Sequence, residues 1–195
     1  ESEVSNHVLS LGLLNGYVRS SQDSERFRAY VTGGGSPAIR TCAAIALANT
    51  TPFVIDDNML GVLFDALDSL EAPPMFHWND GYISRYAAIS LGYLSEPMPE
   101  RVVPGLCAAI TYMNEGGVTA ITRALGEALF PERLSDRDRF QGLRPYQRMF
   151  LTALADNWLE VFGSNVVYLD FVDILRSHGI PDTQGALAAF VKQAA

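Results

Sequence analysis

Lysine is almost missing from this chain: of 14 basic residues only Lys192 is lysine, and the rest are arginine. Positive charge is also scarce overall. With 22 carboxylates the formal net charge is −8, which argues against a nucleic-acid backbone as the main ligand, because phosphate binding needs a clustered positive surface. Cysteine is nearly absent too. Cys42 and Cys107 make neither a disulfide framework nor a zinc-site spacing; both sit inside apolar helical patterns, so buried thiols in a reducing compartment, the cytoplasm, are expected. The three histidines, His7, His77 and His178, are too scattered to argue a Ser-His-Asp or Cys-His pairing. His77 has no second ligand near it in sequence, so no metal and no cofactor is expected.

Long apolar runs are missing as well. No stretch approaches the roughly 20 residues that span a bilayer. The segment from Val8 to Val18 is broken by Ser10, Gly12, Asn15 and Gly16 and follows no basic region, so it does not read as a secretory signal. Strand signals are few: Asn165 to Leu169 is the best candidate, yet Phe171, Val172 and Leu175 continue it with helical spacing.

What is present is a helical period that repeats. From Ile39, offsets of three, four, seven and eight give Cys42, Ala43, Ala46 and Leu47. From Ile83 they give Tyr86, Ala87, Ser90 and Leu91; from Ile121, Ala124, Leu125, Ala128 and Leu129; from Tyr146, Met149, Phe150, Ala153 and Leu154. Each set is one stripe of an amphipathic helix. In all four the seventh offset is small and the eighth is leucine, which lets a neighbouring helix approach and fills the space beside it. Partner helices lie between them. Asp56-Asp57-Asn58 caps a segment carrying Leu60, Leu63, Phe64, Leu67 and Leu70 before Pro73-Pro74, and Pro97 to Glu100 opens one carrying Val103, Leu106, Ile110 and Met113. Pro104 is expected to bend or fray the latter. A helix from Asn165 to Leu175 ends at His178-Gly179, and another spans Thr183 to Gln193.

The expected fold is therefore all-α, a short irregular α-solenoid of helical hairpins forming one domain over 1–195. Its repeat-like core runs over about 36–157, with cap helices over 3–31 and 165–194. The repeat starts are 44, 38 and 25 residues apart, so the stack is irregular at the third step, with a short helix around Arg133 to Phe140 or none.

These residues resemble HEAT repeats, including the HEAT-like class of the phycobilin lyases. The second helix of such a unit reads aliphatic, Arg, two variable residues, Ala-Ala, one variable, Ala-Leu, and Ile39 to Leu47 fits at every position. Ile83 to Leu91 fits with Ser84 in the arginine place and Arg85 after it; the copies from Ile121 and Tyr146 displace arginine likewise, to Arg123 and Arg148. The resemblance implies a superhelix whose inner, second-helix face binds protein, and an arginine that pairs with an acidic residue of a neighbouring repeat.

Candidate binding residues follow. Arg85, Arg123 and Arg148 recur two residues after each repeat start; they either form a positive ridge for an acidic partner or pair with acids of adjacent helices. His77 and Trp78 lie in the loop Met75 to Asp80, which either offers aromatic anchors or tucks between hairpins. Thr32 to Pro37 reads as a connector with Ser36 as cap and Pro37 at the first helical position, not as a phosphate loop. The mixed charges from Pro131 to Arg148 and the pair Asp170 and Asp173 read as solvated polar faces. Three functions stay open: a non-enzymatic scaffold binding another protein, a bilin-lyase-like or other enzyme-accessory protein holding a small acidic ligand, and a HEAT-like nucleic-acid protein.

Overall fold

A computed structural model describes residues 21–33, 35–50, 55–69, 83–110, 129–130, 132–135, 139–159 and 172–192. Among them every regular element is helical, and none is a strand. No helix among these residues is long and apolar enough to cross a membrane.

Helix α1 (Ser21–Thr32) leads through a glycine turn to α2 (Pro37–Thr50). The expected cap is in place: the Ser36 hydroxyl accepts from the Ile39 amide at 3.4 Å, and Pro37 takes the first helical position, where no amide is needed. From Thr41 to Ala48 every residue of α2 is buried. Half of its side chains there are alanine, so α1, α3 and α4 can all pack against it. A helix apolar all round belongs in a core.

Helix α3 (Asp57–Asp65) begins at Asp56, whose carboxylate accepts from the Met59 amide at 2.9 Å. It buries Met59, Leu60, Val62 and Leu63 and tightens into a 3₁₀ turn at Ala66–Asp68. Helix α4 (Ile83–Leu94) packs against α2, α3 and that turn. Helix α5 (Pro99–Ala109) packs on α3 and α4 and reaches back to the start of α3, where Arg101 pairs with Asp57 and donates to the Ile55 carbonyl at 3.4 Å. The helix runs through Pro104, which sits on the exposed side. The next residue bears on the fit: a Cβ on Gly105 would lie 2.4 Å from the Phe64 ring, so a larger residue there would have to displace that ring.

In the segment expected to hold a short helix or none, around 133–140, the described residues are irregular at 132–135 and enter a 3₁₀ turn at Phe140–Gly142. Helix α6 (Pro145–Asp156) follows, with the Gln147 side chain accepting from the Arg144 amide at 2.9 Å. It packs against α5 and against the last helix, α7 (Gln184–Lys192). Phe150 of α6 meets Phe130 at 6.4 Å, and Phe190 of α7 stands edge-on to Phe140 at 6.0 Å. Helical residues 172–177 end where expected, in a Schellman turn. The Ile180 amide donates to the Leu175 carbonyl at 2.9 Å and the Gly179 amide to the Arg176 carbonyl at 3.1 Å, with Gly179 at φ 69°. Leu175 and Ile180, the two apolar ends of that motif, are both buried.

Candidate functional site

A cleft of about 120 Å³ opens where α2 begins, α3 ends and α4 begins. Its apolar walls come from Pro37 and Ala38 on one side and from Val62, Ala66 and Ile83 on the other. Four polar residues line it: Arg40, Thr41, Asp65 and Ser69. Arg40 is half-buried, and its Nε donates to the Val31 carbonyl at the end of α1, at 3.0 Å. That bond fixes the guanidinium plane and leaves the two terminal nitrogens with no hydrogen bond to the described residues. Thr41 is only 6% exposed, yet its hydroxyl also has no such partner. Asp65 stands on the opposite wall, exposed at the mouth, and forms no ion pair with Arg40.

The arginine of the one full motif copy thus binds a backbone carbonyl of the preceding helix rather than an acid of a neighbouring repeat. Two of the displaced arginines, Arg85 and Arg148, are among the described residues. Arg85 on α4 is half-buried beside Tyr86, whose phenol is pushed up by burial, with the Arg85 cation opposing that rise. Arg148 on α6 is half-buried and donates to the Gln141 carbonyl at 3.0 Å, tying the helix to the 3₁₀ turn before it. α4 and α6 each pack on α5. His77, Trp78 and Arg123 lie outside the described residues, as do Asp170 and the candidate strand at 165–169.

One helix face stands out. α4 buries Ile83, Ser84, Ala87, Ala88, Ser90, Leu91, Gly92 and Leu94. What remains is a ridge of Arg85, Tyr86 and Ile89, all half-buried, and Tyr93, which is 59% exposed. Tyr86, Ile89 and Tyr93 fall at spacings of three and four, so they share one line along the helix. On α6 the position matching Tyr86 holds Met149, also exposed.

Sequence reasoning passed over both features. The cleft joins residues from three segments, so no local pattern announces it; the only signal was Arg40 and Thr41 standing in an otherwise apolar helix. The ridge was hidden because Tyr86 read as part of the apolar stripe and Ile89 fell on a variable place of the motif.

Among the described residues, no group of three or more His, Cys, Asp or Glu is placed to hold a metal ion. Comparison with models of protein families, with characterised proteins and with solved structures finds no match to this chain.

Proposed function

We propose that this chain is a short HEAT-like stack of helical hairpins that binds another protein, with the outer ridge of α4 as its contact surface. The stacking half of the reading draws support from the packing order. α2 contacts α3 and α4, α3 contacts α4 and α5, and α4 contacts α5, so each helix meets the next and the next but one. Leu47, Leu91, Leu129 and Leu154, the eighth-offset residues of the four copies, are all buried within one continuous core.

The observation that carries the binding half is the composition of the α4 ridge. Arg85, Tyr86, Ile89 and Tyr93 bring together residue types that dominate interface hot spots, on a rigid helix whose other faces are fixed in the core. His77 and Trp78 come shortly before α4 in sequence and are further candidates for the contact. Arg123 and Arg148, the arginines of the other two copies, are candidates by their repeat position in sequence. The body is acidic, at net charge −8, so an acidic partner would engage it through these arginines rather than through its general field. The same charge disfavours the nucleic-acid reading. The cleft at the start of α2, at about 120 Å³, is smaller than the several hundred Å³ of pockets for drug-sized ligands, so a tetrapyrrole would not sit in it.

The test is a pull-down from native lysate read by quantitative mass spectrometry, comparing the wild type with Tyr93→Ala, Arg85→Glu and Trp78→Ala. Specific partners of the wild type fall by about tenfold with Tyr93→Ala, as expected for loss of an aromatic anchor worth on the order of 1–2 kcal/mol. Equal recovery by all four proteins would remove the ridge as the binding surface.

A further inference from the structure

We propose that the cleft at the start of α2 binds a small zwitterion, an α-amino acid with a short branched apolar side chain. The inference starts from what the cleft offers at its two walls. On one side stand the terminal nitrogens of Arg40 and the Thr41 hydroxyl, neither bonded to the described residues, with Thr41 only 6% exposed. The Thr41 hydroxyl lines the cleft with no hydrogen-bond partner among the described residues, so a ligand can reach it there.

The same wall carries positive potential from the backbone. α2 and α4 both begin at the cleft, through Pro37 and Ile83, and helix starts favour negative charge. The Ala38 amide belongs to the first turn of α2, which supplies it no intrahelical acceptor. Arg40 with its Nε already fixed presents the remaining guanidinium donors in a set plane, the geometry that suits a carboxylate.

Asp65 decides the rest of the ligand. A simple anion between Arg40 and Asp65 would be attracted by the first and repelled by the second. A simple cation would be attracted by Asp65 but repelled by Arg40 and both helix starts. A molecule carrying both charges satisfies each wall. An α-amino acid places its ammonium one carbon from its carboxylate, so it bridges two groups that form no ion pair with one another. Its side chain then meets Val62, Ala66 and Ile83. Size agrees: a cavity of about 150 Å³ holds a benzene ring, and a cleft of about 120 Å³ with an open mouth suits a molecule of valine's size.

The experiment is calorimetric titration of the full chain with L-valine, isovalerate (valine without its amine) and isobutylamine (valine without its carboxylate). L-valine binds saturably, and each one-charge analogue binds at least about tenfold more weakly, since a charged hydrogen bond is worth more than one factor of ten. Asp65→Asn, an exposed change whose folding is checked by circular dichroism, weakens L-valine by about tenfold and leaves isovalerate bound as well as or better than before. Arg40→Lys weakens both acids. Amide shifts on adding L-valine concentrate at Ala38, Thr41 and Ala66. The proposal is overturned if L-valine gives no saturable signal up to about 10 mM, if isovalerate matches it, if Asp65→Asn leaves its affinity unchanged, or if the shifted amides lie elsewhere.

Discussion

Gly179 shows how much one residue can carry. Its φ of 69° is a conformation that residues with a Cβ adopt at a cost of about 1–2 kcal/mol, and an added Cβ would lie 2.2 Å from the Leu134 carbonyl oxygen. The contact is part of a tie in which the Leu134 amide donates to the His178 carbonyl at 2.9 Å, and the His178 ring hydrogen-bonds the Phe130 carbonyl at 2.9 Å. Gly179→Ala therefore lowers unfolding free energy by about 2 kcal/mol or more, measured by urea denaturation. Gly179→Asn separates the two causes. Asparagine tolerates this backbone conformation but still brings a Cβ against Leu134, so it fails to restore stability; full recovery would mean that only the helix cap matters.

Cys107 gives a second prediction at this scale. Burial raises its thiol to about 11 from an ordinary value of 9.0, and Tyr86 is raised from 10.0 by the same cause. A group whose folded value is raised holds its proton in the folded state while the unfolded chain releases it. Its stabilising contribution is complete below the unfolded value and falls as pH climbs through the folded one. Stability should thus decline from about pH 9 to pH 11. Native Cys107 should also react with iodoacetamide at pH 8 much more slowly than in denaturant, because the thiolate is the nucleophile. Equal rates in both conditions would contradict this.

Helix α2 is the element on which the packing turns. Ala46 is fully buried and Ser90, its counterpart on α4, is too; the Ser90 hydroxyl donates to the Asn49 side chain across the α2–α4 crossing at 3.5 Å. Ala46→Leu forces the two helices apart and costs about 3 kcal/mol, at the upper end for overpacking. The matching change on α6, Ala153→Leu, falls on a half-buried site and costs less than about 1 kcal/mol. Comparing their melting temperatures at one protein concentration checks the difference; similar losses would place both alanines in equivalent surroundings.

At this scale much was readable beforehand. Ser36-Pro37, Asp56 and His178-Gly179 marked helix ends by cap chemistry, which depends on neighbours in sequence. The stripes of Leu60, Leu63 and Leu67 and of Val103 and Leu106 showed which faces go inward. What escaped depends on contacts between distant segments. Pro104 was expected to bend or fray its helix; the helix runs through it to Ala109, with the proline on the exposed side. Arg40 carries a motif's arginine, and nothing local told that its Nε would bond Val31.

For the whole molecule, the central claim is that the second helices of successive hairpins lie side by side, so that equivalent small residues make the contact. The all-helical fold follows from period and caps alone. The neighbour relation does not, since the same amphipathic helices can pack in other orders, and the cleft and the α4 ridge both depend on that relation. The most direct measurement is a methyl nuclear Overhauser experiment on the full chain, labelled at alanine and leucine. The account predicts cross-peaks linking methyls of α2 (Ala43, Ala46 and Leu47) to those of α4 (Ala87 and Leu91). If those alanines and leucines show contacts only within their own helices or to α6 and α7, the stack is wrong and both proposed surfaces fall with it.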